Sequence, residues 1–213
     1  VIPSRIFFQV APGGLSQKDI QVTNPGKETI VFTTGLRDWT RDSLGNKVYS
    51  DPGSLKGSNA KWLSIDPTQV TIGPGQTKNI TVTLHAPQEA LAITNSMLFL
   101  SQINEQKPII KSDNNGKVAL DIRLEVGIHI YNTVPDILAH KNLHFTMIRD
   151  DGPNSDSTDQ LSIKVKNGGN VVTDGLLKLD ITNMSTGANY KIPDRAISMF
   201  PDTEQVIQFN LPL

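Results

Sequence analysis

Few side chains in this sequence are spaced for chemistry. His140 and His144 are four residues apart, so they share one face of a strand or a helix, where two imidazoles can bind a metal ion. The sequence nearby offers no further ligands, so a solvated strand is the better interpretation. The stretch Arg149–Asp159 is rich in oxygen ligands and suits Ca²⁺, but it lacks the EF-hand spacing, and we interpret it as a hairpin loop.

Composition excludes several other kinds of site. The chain has no cysteine, which removes thiol nucleophiles, disulfides and thiolate metal centres. It contains no phosphate-binding loop, no G-x-S-x-G elbow and no H-E-x-x-H pair. The net charge is −1, which offers no basic surface for nucleic acid, and no apolar run reaches the roughly 18 residues of a membrane helix. We therefore expect a protein without catalytic site, cofactor, nucleic-acid partner or transmembrane segment.

The elements that must position any binding residues are β-strands. Ile20–Thr23 alternates apolar and polar residues and runs into Asn24-Pro25-Gly26, and Val70–Ile72 runs into Gly73-Pro74-Gly75. Such alternation is typical of half-buried strands, and Pro and Gly mark the tight turns between them. With 13 Pro and 16 Gly spaced between these runs, the sequence predicts an all-β protein of immunoglobulin-like sandwiches.

Two patterns occur twice in the same order, which predicts two tandem domains. Ile20–Gly26 is echoed by Ile163–Gly169, and Gly73–Leu84 by Phe200–Leu211. The predicted domains are 1–133 and 134–213. The second lacks counterparts of the last two strands of the first, and the sequence leaves open whether they are missing from this chain or supplied by another one.

One strand pattern is unusually long. Val118–Tyr131 has apolar residues at every second position, and its fourteen residues would span on the order of 46 Å. Typical strands have about 5–6 residues, so part of this one is free to extend beyond its own sandwich. We expect Ile128 and Ile130 to be buried in the core. The side chains at the beginning of the strand are the candidates for pairing with a partner: Val118, Leu120, Ile122 and Leu124.

The order of these motifs resembles the periplasmic pilus-assembly chaperones of the PapD-like family. The resemblance covers most of the chain, with the motifs Ser4–Phe8, Ile20–Asn24, Trp62–Gln76, Met97–Leu100 and Val118–Tyr131. It implies two immunoglobulin-like domains, no enzymatic activity, and a pilin-like partner that lacks one strand. The family donates the last strand of its first domain to that subunit, which is β-augmentation.

The resemblance also implies an anchor for the subunit's C-terminal carboxylate. Arg5 matches the family's first-strand arginine, and His129 stands nearest to the position of its lysine. A guanidinium binds a carboxylate through two parallel hydrogen bonds, whereas a histidine is only partly charged near neutrality. We expect a periplasmic protein whose export signal has been removed, with an outer-membrane usher as a possible second partner. The alternative is a structural or adhesive surface module whose long strand is fully buried.

Overall fold

A computed structural model describes residues 1–90, 93–103, 109–113, 116–120, 123–135, 138–153 and 158–211. One short 3-10 helix, Ala60–Trp62, lies among strands in this part of the chain. The strands are β1 (Arg5–Phe8), β2 (Leu15–Thr23), β3 (Ile30–Arg41), β4 (Lys47–Ser50), β5 (Leu63–Asp66), β6 (Gln69–Ile72), β7 (Thr77–His85), β8 (Ile93–Gln102), β9 (Ile109–Asp113), β10 (Gly116–Leu120), β11 (Glu125–Thr133), β12 (Leu143–Pro153), β13 (Asp159–Asn167), β14 (Thr173–Thr182), β15 (Asn189–Met199) and β16 (Glu204–Asn210). The predicted all-β fold class is confirmed.

The chain forms two compact units, one of residues 1–39 and 49–137 and the other of residues 40–48 and 138–213. The domain limits predicted from the sequence, 1–133 and 134–213, stay a prediction. In the first unit a large sheet contains β1, β11, β8 and β3 in this order, with β6 also pairing with β3, and a second sheet has the order β2-β7-β5. Strands β9 and β10 pair with each other.

The core of the first unit lies between its two sheets because each strand turns every second side chain inward. Strand β7 buries Ile80, Val82 and Leu84, and strand β11 of the other sheet buries Ile128 and Ile130. All five side chains are fully or almost fully enclosed in one apolar cluster. The period-two pattern of the sequence therefore sets which face of each strand meets the core.

The repeated sequence forms the same buried corner twice. The side-chain amide of Asn24 donates to the carbonyls of Glu28 at 2.7 Å and Ile72 at 2.9 Å, while its oxygen accepts the Gly26 N–H at 2.9 Å. The amide of Asn167 donates in the same way to Val171 at 2.9 Å and Met199 at 3.0 Å, and its oxygen accepts the Gly169 N–H at 2.9 Å. Buried polar groups need such partners, so each asparagine closes the turn that ends its strand.

In the second unit, the sheet order is β12-β13-β16, and β14 and β15 form a separate two-stranded sheet. Its strand registers repeat those of the first unit. Ile163 pairs with Ile207 as Ile20 pairs with Ile80. Strands β13 and β16 are therefore the counterparts of β2 and β7.

The long strand predicted over Val118–Tyr131 is wrong as a continuous element. Strand β10 ends at Leu120 and pairs with β9, and β11 begins at Glu125 and pairs with β8. Residues 123 and 124 lie between them outside any strand. Alternation of apolar residues continues across the interruption, so the sequence pattern alone does not reveal it.

Candidate functional site

The two basic residues that the resemblance singles out are neighbours in the sheet of the first unit. Strand β1 runs parallel to β11, and Arg5 is paired in register with His129. Arg5 is exposed and His129 is half-buried. Within the described part of the chain, the Arg5 guanidinium forms no ion pair or hydrogen bond. The exposed guanidinium of Arg5, with its several N–H donors, thus belongs to the residue next to His129 in the sheet.

Aromatic rings hold the imidazole of His129 in place. The buried indole of Trp39 meets it edge-on, with ring centroids 4.6 Å apart and planes at 70°. The Tyr131 ring is nearly parallel to it at 6.0 Å and stacks in turn on Phe7 at 5.2 Å. These contacts hold the ring of His129 in one orientation, whereas the exposed Arg5 side chain has no such contact among the described residues.

The edge of β11 is covered by β1 along only part of its length. The His129 N–H donates to the Ser4 carbonyl at 3.2 Å, so the backbone groups of His129 point toward β1. Successive residues of a strand point their backbone groups to opposite edges, so those of Glu125 and Gly127 point toward the same edge as those of His129. Strand β1 pairs with β11 only at residues 129–132 and does not reach Glu125 or Gly127. Within the described ranges, no strand covers this stretch of hydrogen-bonding edge, which lies directly before the Arg5–His129 pair.

The opposite edge of β11 is fully engaged. Strand β8 pairs with it from Glu125 to Thr133, and the Gln102 N–H extends the ladder by donating to the Leu124 carbonyl at 2.9 Å. The Leu124 N–H donates to the side-chain oxygen of Gln102 at 3.2 Å. Only the β1 side of the strand can therefore accept another strand.

The apolar side chains on the core-facing side of β11 become more exposed toward its N-terminal end. Ile128 and Ile130 are completely buried, Val126 is half-buried, and Leu124 is 47% exposed. The expectation that Ile128 and Ile130 belong to the core is confirmed. Of the predicted strand-pairing residues, Leu124 is thus exposed beside the uncovered edge. Ile122 lies outside the described residues, as do the side chains of Val118 and Leu120, so their role stays a prediction.

Gly127 contributes to this edge in a way that the sequence reading missed. A Cβ atom at this position would lie 2.3 Å from Cε of Met97 and 3.3 Å from Cε1 of Phe99. Both of those side chains are buried on the outer face of the sheet. Because Gly127 has no Cβ atom, the side chains of Met97 and Phe99 pack directly against the backbone of β11. An Asn-Gly or Pro-Gly turn signal is absent here, so nothing in the local sequence marks this glycine as a packing position.

The carboxylate of Glu125, at the start of this edge, contacts groups of β3 and β8. One oxygen of Glu125 lies 3.5 Å from the Arg37 guanidinium and accepts the Ser101 hydroxyl at 2.8 Å. Arg37 also stacks over the Phe99 ring at 4.5 Å. These partners belong to β3 and β8, which lie on the side of β11 away from β1. They draw the carboxylate of Glu125 away from Arg5.

The other sequence candidates form local bonds. No group of three or more metal-ligating side chains occurs among the described residues. In the Arg149–Asp159 region, the Asp150 carboxylate accepts a hydrogen bond from the backbone N–H of Gly152 at 2.9 Å. The Ser162 hydroxyl and then the Arg149 guanidinium lower the pKa of Asp151 below its ordinary value. The carboxylates described here thus stabilise a bend in the hairpin.

No model of a known family matches the chain, and no curated protein is significantly similar to it. In the described residues, no helix is long and apolar enough to cross a membrane.

The fold has many counterparts among solved structures. The chaperone–tip adhesion subunit pre-assembly complex CsuC–CsuE of the archaic chaperone-usher Csu pili of Acinetobacter baumannii matches with a TM-score of 0.53 and 13% identity, over 99% of this chain and 87% of that one. The class 5 fimbriae chaperone CfaA matches with a TM-score of 0.51 and 15% identity, over 95% and 82%. The YadV chaperone matches with 0.53 and 10%, over 95% and 80%. The predicted resemblance is confirmed at the level of the fold, and the chain has the tandem immunoglobulin-like architecture of the fimbrial chaperones.

Proposed function

We propose that this protein is a periplasmic chaperone that binds pilin-like subunits by adding the uncovered edge of β11 to their incomplete sandwich. The observation that carries the proposal is the register of Arg5 with His129 directly beyond that edge. Unsatisfied strand edges are templates for aggregation, so a subunit that lacks one strand benefits from a protein that covers its open side. The fold likeness to fimbrial chaperones supports the same role.

The proposed carboxylate anchor implies a direction for the bound strand. Glu125 and Gly127 offer backbone groups, and His129 lies after them along β11. A partner strand whose terminal carboxylate reaches Arg5 and His129 from this edge runs parallel to β11. Its backbone pairs with Glu125 and Gly127, and its last residue lies at the point where β1 begins.

Two kinds of contact supply the binding energy. Hydrogen bonds to a charged group contribute about 1.5–3 kcal/mol each, and Arg5 can form two of them with one carboxylate. Burial of the exposed part of Leu124 adds an apolar contribution at the other end of the edge. Binding is therefore strongest for a strand that has both a free C-terminus and alternating aliphatic residues. We include an outer-membrane usher in the proposal as the partner that would receive the bound subunit.

A pair of synthetic peptides tests the anchor. The carboxylate peptide has about ten residues, the upper end of strand length, with Val or Ile at alternate positions, Thr or Lys between them and a free C-terminus. The amide peptide is identical except for a C-terminal amide. Fluorescence anisotropy with labelled peptides should show binding of the carboxylate peptide at least about 10-fold tighter, because one charge-assisted contact is worth about 1.5 kcal/mol or more.

Arg5→Ala should remove that preference, and Arg195→Ala is the matched control, since Arg195 is an exposed arginine of the second unit. The proposal fails if Arg5→Ala binds both peptides like the unmodified protein. Equal binding of the two peptides by the unmodified protein would likewise remove the anchor and favour a spacer module.

A further inference from the structure

The first unit contains a group of buried polar side chains that have no hydrogen-bond partner among the described residues. Asn59, Thr94 and Ser96 are each 0% exposed. The side-chain oxygen and nitrogen of Asn59 form no hydrogen bond, and neither does the hydroxyl of Thr94 or Ser96. Because nearly all buried polar groups of folded proteins are bonded, these side chains point to a partner other than the protein itself.

Thr94 and Ser96 project from the same face of β8. Side chains alternate along a strand, so these two residues share a face with Leu98 and Leu100, which belong to the core of the first unit. Their hydroxyls therefore face the interior of the sandwich. A hydroxyl in that position cannot exchange its missing protein partner for bulk solvent.

Asn59 lies beside the same part of β8. Its N–H donates to the Asn95 carbonyl at 3.4 Å, and the Asn95 N–H donates to the Gly57 carbonyl at 2.8 Å. Asn95 is the residue between Thr94 and Ser96. The backbone segments that carry the three buried polar side chains are therefore direct neighbours.

The neighbour of β8 changes at this point. Strand β3 pairs with β8 as far as Arg37, which lies opposite Met97. Two residues further on, the contact between the strands is a bond from the side-chain amide of Asn95 to the Trp39 carbonyl at 3.3 Å. The segment 57–59 takes the place of β3 beside Asn95. The regular ladder is thus interrupted where the three polar side chains lie.

The loop that carries Asn59 is held by a buried carboxylate. Asp38 accepts the N–H of Gly53 at 3.1 Å and that of Leu55 at 2.8 Å. It also accepts the hydroxyl of Ser58 at 2.5 Å. With these bonds on one side and the bond to β8 on the other, the loop keeps the Asn59 amide enclosed.

The chemistry of the three side chains selects a ligand that both donates and accepts. The amide nitrogen of Asn59 only donates, its oxygen only accepts, and a hydroxyl does both. A cation would leave the amide nitrogen without an acceptor, whereas water serves every group and forms about three bonds when it is buried. Residues two apart on a strand are separated by about 6.6 Å, and two hydrogen bonds of about 2.8 Å through one water nearly span that distance.

We propose that Asn59, Thr94 and Ser96 form a binding site for an internal water molecule. The water bridges the hydroxyls of Thr94 and Ser96 and bonds to the amide of Asn59. It completes the hydrogen bonding between β8 and the 57–59 segment at the position where β3 no longer pairs. The site does not depend on the chaperone role proposed above.

Oxygen-17 relaxation dispersion of the solvent tests the site, because it counts waters that stay bound longer than the protein tumbles and is insensitive to exchange of hydroxyl protons. The double variant Thr94→Val/Ser96→Ala should lose about one long-lived water. Thr71→Val is the matched control, since Thr71 is an exposed strand threonine of β6, and it should lose none. If the double variant does not fold, each single variant gives the same readout.

Thermal unfolding gives a second readout. Thr94→Val and Ser96→Ala should each lower the midpoint of the first unit by about 2–4 °C, because each removes a bond to the water. Since both hydroxyls share that water, the double variant should lower the midpoint by less than the sum of the two shifts. Thr71→Val should leave the midpoint unchanged.

Three results overturn the proposal. The first is an unchanged count of long-lived waters in a double variant whose circular dichroism spectrum is unchanged. The second is a midpoint that rises with Thr94→Val, because removal of a buried hydroxyl that has no partner at all relieves its desolvation cost. The third is a pair of shifts that add fully in the double variant, which excludes a shared water.

Discussion

Leu124 and Ile128 lie on the same face of one strand region but should have opposite roles, and alanine substitution of each separates them. Leu124 is 47% exposed and Ile128 is completely buried. Full burial of a leucine side chain is worth about 1.5–3 kcal/mol, so a partner that buries the exposed half of Leu124 gains about 0.7–1.4 kcal/mol. Leu124→Ala should therefore weaken binding of the carboxylate peptide about 3–10-fold.

Ile128→Ala should act on stability instead. Removal of a buried isoleucine side chain costs about 2–5 kcal/mol in free energy of unfolding, whereas Leu124→Ala should cost about 1 kcal/mol or less. Urea unfolding followed by Trp fluorescence measures the free energy of unfolding. Fluorescence anisotropy, at a temperature where both variants are folded, measures the dissociation constant of the carboxylate peptide. The reasoning is refuted if Leu124→Ala leaves the dissociation constant unchanged, or if Ile128→Ala weakens binding as much as Leu124→Ala does.

Four further results are expected. Asn24→Ala and Asn167→Ala should each lower the free energy of unfolding by about 2–4 kcal/mol, since each removes three hydrogen bonds of a buried corner. Asp38→Ala should cost a similar amount, about 2–4 kcal/mol by urea unfolding, because its buried carboxylate accepts bonds from backbone and hydroxyl groups of residues 53–58. His129→Lys should tighten binding of the carboxylate peptide, measured by fluorescence anisotropy, because a lysine adds a permanent positive charge in register with Arg5. The pKa of Asp151 is lowered in the folded protein, so its contribution to stability is present above the ordinary carboxyl pKa and is lost as pH falls through the folded value. Asp151→Asn should therefore reduce the loss of stability that acid unfolding curves measure.

Strand faces and corners follow from the sequence. Period-two alternation gives the buried faces of β7 and β11 because adjacent side chains of a strand point to opposite sides. The repeated Asn-x-Gly pattern predicts a turn at both places, and the structure adds that the side chains of Asn24 and Asn167 close these turns. These features depend on neighbours in the chain, which a sequence displays directly.

The arrangement of the candidate site depends on contacts between distant segments. The pairing of Arg5 with His129 requires a parallel register between the first strand and one that comes more than a hundred residues later. Alternation along a strand indicates which face of the strand is buried, but not which other strand it pairs with. The family resemblance therefore suggested Arg5 and His129 separately, and the fold shows that they are neighbours. The break between β10 and β11 and the packing role of Gly127 were missed for the same reason, since both depend on β8 and β9.

Amide hydrogen exchange of β11, measured by NMR with and without the carboxylate peptide, tests the proposed mode of binding most directly. Glu125 and Gly127 point their N–H groups to the uncovered edge, whereas Val126 and Ile128 point theirs to β8. We predict that the peptide slows exchange at Glu125 and Gly127 and leaves Val126 and Ile128 as slow as they are in the free protein. Fast exchange at Glu125 and Gly127 in the saturated complex, or slow exchange there without any peptide, would contradict the proposed binding edge.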